Sequence, residues 1–321
     1  MAFSNSGAVL RADINAMVME AAAAENFYIG ASVLPPLAVT AKSGQYPKFK
    51  KAGADLLNAD AEARGATAGY ARVVREYDND NYSTVEFGLE ELIGDADGSE
   101  IARFFDLEKV AANLVRRQVQ IGHEARVQAA IQNATTFSAT TSIGAGYTIA
   151  NKALADFASD VLGVIDTLNG RGEQPNTIVM SGAVFTRIKG QTLFQNFVRG
   201  NRPSDITANL SQGAMAQAFA DSGINNVYVG RASKNSGNKG AAFTASPIWN
   251  NTHIWIGRVE SGEVMDGGVG RTFYWSEDSE LFTTETYRDE QRRSTVVRVR
   301  QHVSEKIIDA DSGHLITTQF A

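Results

Sequence analysis

The stretch SEIARFFDLEKVAANLVRRQVQIGHEARVQAAIQN (Ser99–Asn133) predicts one long helix. Mostly apolar side chains recur in it at helical spacing, which is typical of a helix that buries one face. The predicted buried stripe is Leu107, Val110, Ala111, Leu114, Gln118, Ile121 and Ala125. Counted only from Leu107, the helix is about 40 Å long, so it needs an extended sheet or a partner to lie on.

An acidic turn precedes this helix and follows a predicted strand, Ser83–Glu90, whose apolar residues alternate. The carboxylates near the turn are Glu90, Glu91, Asp95, Asp97 and Glu100. Such a cluster could hold a metal ion or serve acid–base chemistry. However, the stretch is too short for a calcium loop, and Asp97 with Glu100 has the spacing of a helix capping box. Helix capping is the simpler interpretation, and no metal, cofactor or catalytic residue is assigned.

A long polar tract lies further upstream. YPKFKKAGADLLNADAEARGATAGYARVV (Tyr46–Val74) has strand-like ends, Tyr46–Phe49 and Tyr70–Val74, with almost no large apolar side chain between them. Structureless connections longer than about 12–15 residues are usually functional or disordered. Because an isolated two-stranded ribbon is marginal in water, we expect an arm that folds against a neighbouring copy of the chain. The alternative is a solvated surface loop.

The charged residues of this tract are the candidate contacts between copies. They are Lys48, Lys50, Lys51, Asp55, Asp60, Glu62, Arg64 and Arg72. Mixed signs suit complementary contacts between identical neighbours, and such contacts fix register more than they supply affinity. The pattern gives no basis for assigning covalent chemistry to the three lysines.

The remainder of the chain divides into regions of different texture. Residues 7–25 predict an amphipathic helix, and Pro35-Pro36 ends any helix and favours extended chain. Residues 134–150 are rich in Thr, Ser, Ala and Gly and resemble a linker. Helices then alternate with apolar strands up to residue 262, which indicates an α/β module.

Long strands are predicted after residue 262. They cover Glu280–Arg288, Ser294–Val303 and His314–Phe320. In the second strand, Val297, Val299 and Val303 face one way, and Arg298, Arg300 and His302 face the other. The basic group Arg292, Arg293, Arg298 and Arg300 is expected to form salt bridges between subunits rather than to grip DNA.

Composition excludes several classes of function. The chain has 321 residues and no cysteine, so thiol nucleophiles, disulfides and cysteine metal sites are excluded. The four histidines, His123, His253, His302 and His314, are scattered, and His123 is expected at a surface or interface. The formal charge of −6 argues against tight nonspecific binding of nucleic acid. The chain has neither an apolar run of about 18 residues nor a signal peptide, so we expect no membrane span and folding in a cytoplasm.

The order of these regions resembles the major capsid proteins of tailed bacteriophages, which have the Hong Kong 97-type fold. DLEKVAANLVRRQVQIGHEARVQAAIQN (Asp106–Asn133) is similar to their spine helices, and NTIVMSGAVFTRIKG (Asn176–Gly190) is similar to a strand and helix of their axial domain. The resemblance implies an α+β fold with a spine helix on an extended antiparallel sheet. The implied division is an N-terminal arm (1–40), an extended loop (41–83), a first peripheral part (84–150) with the spine helix at about 99–133, an inserted α/β axial domain (151–262) and a second peripheral part (263–321), whose last strand could return to the axial domain.

The resemblance implies a structural protein and not an enzyme. Copies would assemble through hexamers and pentamers into an icosahedral virion head, built in the bacterial cytoplasm around double-stranded DNA that is contacted nonspecifically. The expected partners are other copies, a separate scaffolding protein, a portal and a possible decoration protein. Deleting residues 50–69 is expected to leave a folded subunit that makes no stable shells.

Two alternatives remain open. One keeps the fold and makes the chain the shell protein of an encapsulin-like bacterial nanocompartment. The other is a cytoplasmic α/β enzyme whose site the sequence does not reveal, and it is less favoured because cysteine is absent and histidine is scarce.

Overall fold

The computed structural model describes residues 9–10, 28–49, 63–67, 69–70, 72, 77–96, 106–137, 139–143, 147, 156–200, 210–237, 240, 242 and 244–318. They form a mixed α and β structure. The strands are β1 (Val9–Leu10), β2 (Pro36–Val39), β3 (Ser43–Phe49), β4 (Tyr77–Ser83), β5 (Val85–Gly94), β6 (Thr140–Ile143), β7 (Thr177–Ser181), β8 (Asn226–Gly230), β9 (Ser233–Asn235), β10 (Ala245–Pro247), β11 (His253–Gly257), β12 (Gly270–Trp275), β13 (Thr283–Asp289), β14 (Ser294–Ile307) and β15 (Gly313–Thr318). The α-helices are α1 (Gly30–Val33), α2 (Leu107–Ile131), α3 (Phe157–Asn169), α4 (Gly182–Lys189), α5 (Thr192–Arg199) and α6 (Gln212–Ala218). Among these helices, none is both long and apolar enough to cross a membrane.

The first large sheet is built around β14. Its strands are ordered β1-β13-β14-β12-β2, and β5 also pairs with β14. The pairing is antiparallel except between β12 and β2. As the alternation predicts, Val297, Val299 and Val303 are buried. Arg298 and Arg300 are expected from the sequence to form salt bridges between subunits, but they form ion pairs with Glu285 of the same chain.

Helix α2 lies against β5 and β14 within the range predicted from the sequence. It begins after Asp106, whose carboxylate accepts the backbone N–H of Lys109. The predicted buried stripe is partly wrong, because Val110 and Leu114 are 40% and 51% exposed. The side chains that α2 buries are Ala111, Ala112, Val115, Arg116, Val119, His123, Glu124, Val127 and Ile131. Three of them are ionisable, so a count of apolar side chains could not find this face.

His123 is a second correction, since it is buried rather than at a surface. Its Nδ1 lies 2.8 Å from Oε1 of Glu305 on β14, and Nε of Arg126 donates to the same oxygen at 3.0 Å. Burial by itself raises the pKa of Glu305, but the contacts with His123 and Arg126 outweigh it and hold the pKa below its ordinary value. This contact joins α2 to the long strand.

The second large sheet has the strand order β6-β15-β11-β7-β8. Its residues Ile178, Val229 and Ile256 share one apolar cluster with helices α3 to α6. On its other side, Val179, Trp255 and Leu315 belong to a cluster that contains the C-terminal part of α2. The helices therefore cover one face of this sheet, and the end of the long helix packs against the other. The predicted linker 134–150 supplies β6, which pairs in parallel with β15.

A buried carboxylate joins three parts of the chain. Glu124 on α2 accepts hydrogen bonds from the backbone N–H groups of Ile29 (3.0 Å) and Gly30 (2.6 Å) and from Nε1 of Trp249 (2.6 Å). Burial raises the pKa of Glu124, and the three hydrogen bonds oppose that rise. The same residue thus fixes the segment before β2 and the turn after β10 to the long helix.

A buried arginine organises the connection between the two large sheets. Arg271 is fully buried, and its guanidinium donates to the backbone carbonyls of Gly262, Glu263, Gly267 and Gly270 at 2.9–3.3 Å. Burial lowers its pKa. These carbonyls belong to the segment that leads from β11 to β12, so one side chain sets the conformation of that segment.

The helix predicted over residues 7–25 is wrong at Val9 and Leu10, which form β1 and pair with Thr286 and Glu285 of β13. An open strand edge offers backbone hydrogen bonds, and these override a local helical pattern. Residues 11–27 lie outside the described part of the chain.

Candidate functional site

The polar tract begins and ends in a two-stranded ribbon. Strands β3 and β4 are antiparallel, with Ser43 opposite Ser83 and Phe49 opposite Tyr77. The predicted return strand, Tyr70–Val74, is wrong at Tyr70 and Arg72, which are in irregular chain, and its other residues lie outside the described part of the chain. The described return strand is Tyr77–Ser83. The strand YDNDNYS has poor intrinsic strand propensity, and it pairs because its partner strand and packing surface select it.

An aromatic cluster fixes the base of the ribbon to the first sheet. The ring of Phe273 on β12 is stacked on Tyr82 at 4.9 Å between centroids and lies 5.5 Å from Tyr46. Tyr46 is only 4% exposed, and Ile308 completes the cluster. Aromatic pairs at such distances stabilise beyond the area that they bury. The base of the ribbon is therefore held against the sheet by these contacts.

A hydrogen bond between the two ribbon strands supports this anchor. The hydroxyl of Tyr46 donates to Oδ2 of Asp80 at 2.9 Å. Burial, and then this bond, raise the pKa of Tyr46. Burial alone raises the pKa of Asp80, but the N–H of Asn81 and the Tyr46 hydroxyl bring it below its ordinary value. The charged carboxylate is thus the favoured partner of Tyr46.

The structure locates three of the eight predicted contact residues. Lys48 is half-buried on β3, opposite Asp78. Arg64 is exposed, and its guanidinium carbon lies 4.7 Å above the centroid of the Tyr70 ring. Arg72 is also exposed. The structure does not bring these three together, and the remaining candidates Lys50, Lys51, Asp55, Asp60 and Glu62 lie outside the described residues.

A second exposed surface was missed by the sequence analysis. Val85 and Leu89 on β5 are 53% and 44% exposed, and Val110 and Leu114 belong to the helix that packs on this strand. The alternation of β5 was interpreted only as a strand pattern, and the helical period was interpreted as the mark of a buried face. Exposed apolar residues on adjoining elements are typical of a surface that contacts another chain.

The acidic cluster is engaged by arginines. Glu90 accepts from Nε of Arg298 at 2.6 Å and from the Tyr287 hydroxyl at 3.1 Å, and Asp95 pairs with Arg288. The hydrogen bond from Arg288 holds the pKa of Asp95 below its ordinary value. Asp97 and Glu100 lie outside the described residues. Within the part of the chain that is described, no group of three or more acidic or histidine side chains is arranged to hold a metal ion.

Comparison with known proteins agrees with this architecture. No family model and no curated protein sequence matches the chain. Among solved structures, a phage-related protein from Bordetella bronchiseptica RB50 aligns with a TM-score of 0.69 at 18% identity, covering 96% of this chain and 97% of that one. The capsid of cyanophage P-SCSP1u aligns with a TM-score of 0.56 at 10% identity, covering 90% and 87%.

The chain has the fold of phage capsid proteins. The same capsid fold relates it to a virus-like particle from Pyrococcus furiosus, with a TM-score of 0.51 at 8% identity and coverage of 95% and 96%. The resemblance inferred from Asp106–Asn133 and Asn176–Gly190 is thereby confirmed at the level of the fold.

Proposed function

We propose that this chain is the major capsid protein of a tailed bacteriophage and has the Hong Kong 97-type fold. The observation that carries the proposal is the likeness in fold, over 90% or more of the chain, to a phage-related protein and to the capsid of a cyanophage. In this proposal α2 is the spine helix, the sheet around β14 is the peripheral domain, the sheet around β11 is the axial domain and the ribbon β3–β4 begins and ends the extended loop. The proposed division is 1–40, 41–83, 84–150, 151–262 and 263–321.

The proposed role is structural, and no catalytic residue or cofactor belongs to it. Copies assemble through hexamers and pentamers into an icosahedral head that encloses double-stranded DNA. Each contact between copies can be weak, because a closed shell multiplies the contacts. The ribbon is suited to this role since its base is fixed by Tyr46, Tyr82 and Phe273 and its charges are of both signs.

The proposed partners follow from the same role. Other copies come first, followed by a separate scaffolding protein, a portal and a possible decoration protein. The net charge of −6 is compatible with DNA that is enclosed and contacted nonspecifically. Assembly takes place in the bacterial cytoplasm, and the mature location is the virion.

A second candidate function is the shell of an encapsulin-like nanocompartment that holds an enzyme. The likeness to the virus-like particle from Pyrococcus furiosus, over 95% of this chain, keeps it open, because that particle is described as virus-like and not as a phage head. The contents of the assembled particle separate the two functions: DNA supports the phage head, and an enzyme cargo supports the nanocompartment.

The ribbon provides the test of the proposed assembly. Because Phe49 pairs with Tyr77, residues 50–76 can be replaced by Asn-Gly, a two-residue turn that closes an antiparallel pair. The anchor at Tyr46 and Phe273 is retained, so the unfolding temperature of the subunit should stay close to that of the parent chain. We expect the variant to form no stable shells in electron micrographs. Normal shells from the variant would contradict the role of the ribbon.

A further inference from the structure

Two neighbouring helices of the α/β module contain basic side chains and no acidic ones. Helices α4 and α5 contain Arg187, Lys189 and Arg199 and no acidic residue. None of the three makes an ion pair with a carboxylate in the described part of the chain. These three cations therefore have no charged partner among the described residues of one copy.

Helix α5 also exposes apolar side chains. Leu193 and Phe197 lie one turn apart on α5 and are 37% and 40% exposed. The ring of Phe197 is held in place by Phe194 and Phe219, at 6.2 and 5.4 Å between centroids. Arginine and rigid aromatic side chains are enriched at protein interfaces. We call Arg187, Leu193, Phe197 and Arg199 the basic face.

A cleft elsewhere on the module has the opposite charge. It has a volume of about 670 Å³ and lies where β11 ends and where β7 and β8 begin. Asp166, Asp221 and Glu260 line it, whereas Arg258 is the basic residue of its lining and donates to Glu260 at 3.0 Å. Helix α3, which forms one wall, contains acidic residues and no basic ones. We call this the acidic cleft.

We infer that the basic face of one copy docks into the acidic cleft of the next copy. The inference rests on the proposed self-assembly and names the surfaces that would carry it. In such a head-to-tail contact, two different surfaces of the chain meet. A contact of this kind generates a ring when the rotation from each copy to the next brings the last copy back to the first. Charge complementarity sets the direction and register, and the exposed Leu193 and Phe197 supply the apolar area.

Charge reversal tests the contact. The first variant combines Arg187→Glu with Arg199→Glu, the second combines Asp166→Lys with Asp221→Lys, and the third carries all four changes. Self-association is measured by sedimentation velocity at low and high salt, and shells are counted in electron micrographs. Lys234→Glu, at an exposed cation outside both surfaces, is the control for net charge.

We expect each two-residue variant to lower the associated fraction by about tenfold or more at low salt. The four-residue variant should regain most of the associated fraction, since the charges of both surfaces are reversed together. Lys234→Glu should associate like the parent chain. Parental association in either two-residue variant, no rescue in the third, or an equal defect in Lys234→Glu would overturn the inference.

The two proposals can fail separately. A parent chain that forms oligomers but never closed shells, with loss and rescue in the variants, would contradict the capsid function and support the head-to-tail contact. Parental shells that are unaffected by charge reversal would contradict only the contact. A parent chain that stays monomeric at every salt concentration would contradict both.

Discussion

Glu124 and Trp249 lie 125 positions apart in the chain, and the indole Nε1 of Trp249 donates to the Glu124 carboxylate at 2.6 Å. The same carboxylate holds two backbone N–H groups of the segment that leads into β2. Three distant segments therefore depend on one side chain that is 1% exposed.

Replacement of Glu124 by Ala should strongly destabilise the subunit. Three buried donors would lose their acceptor, and each such loss costs about 1–3 kcal/mol. We expect the free energy of unfolding to fall by about 3 kcal/mol or more, measured by urea denaturation of the unassembled subunit. Glu277→Ala removes an exposed carboxylate and should change it by less than about 0.5 kcal/mol. Equal effects of the two changes would contradict the role of Glu124 in joining these three segments.

Two glycine substitutions should have opposite effects on stability. A Cβ at Gly230 would overlap the indole ring of Trp249, whereas a Cβ at Gly163 on α3 meets nothing within 4 Å. We expect Gly230→Ala to destabilise by about 1–3 kcal/mol through overpacking. Gly163→Ala should stabilise by about 0.5–1 kcal/mol, because alanine restricts the unfolded chain and suits a helix. Thermal unfolding of the two variants side by side distinguishes these outcomes, and a neutral Gly230→Ala would refute the close approach.

Glu305 should make the subunit sensitive to acid. Because its pKa is lower in the folded protein than in the unfolded chain, the unfolded chain takes up the proton first as pH falls. The stability from its contacts with His123 and Arg126 is present above the ordinary pKa of 4.5 and is lost as pH falls below that value. Glu305→Gln should therefore lower stability at neutral pH and flatten its decline in acid. Unfolding curves are measured from pH 7 to 3 for both proteins. An equal fall in the stability of the parent and of Glu305→Gln would contradict the lowered pKa of Glu305.

Arg271→Lys should be far more harmful than a conservative change usually is. The planar guanidinium reaches four backbone carbonyls, and an ammonium group cannot reproduce that geometry. We expect a loss of about 2 kcal/mol or more in the free energy of unfolding, together with faster proteolysis between residues 258 and 268. Arg292→Lys, at a side chain that is 69% exposed, is the matched control and should be nearly neutral. Slow, parental proteolysis in Arg271→Lys would contradict the role of this arginine.

The order of elements could be predicted because periodicity reports it directly. The alternating valines of β14 and the apolar run of β7 are patterns that one strand reveals by itself, and both strands are found where the sequence indicates them. The long helix is equally clear, since its period persists over many turns. Strong local patterns of this kind suffice for these three elements.

What could not be predicted depends on contacts between distant residues. Val110 and Leu114 are as apolar as Val115 and Val119, and only the position of the sheet decides which pair is buried. Likewise, nothing local marks Tyr77 as the start of the return strand, because β4 is selected by β3 and Phe273.

The candidate site was only partly visible for the same reason. The sequence marked the polar tract and its lysines, but the aromatic anchor requires Tyr46 and Phe273 to meet across more than two hundred residues. Similarly, Glu124 resembles any charged residue of a long helix until Trp249 is placed beside it.

The central claim is that this chain closes into shells, and electron microscopy of the purified full-length protein tests it most directly. The protein should be expressed both alone and together with the genes that neighbour its own. The account predicts closed icosahedral shells tens of nanometres across in at least one of these preparations, with DNA as the content of the phage form. A homogeneous small species in both preparations, with no closed particles, would contradict it.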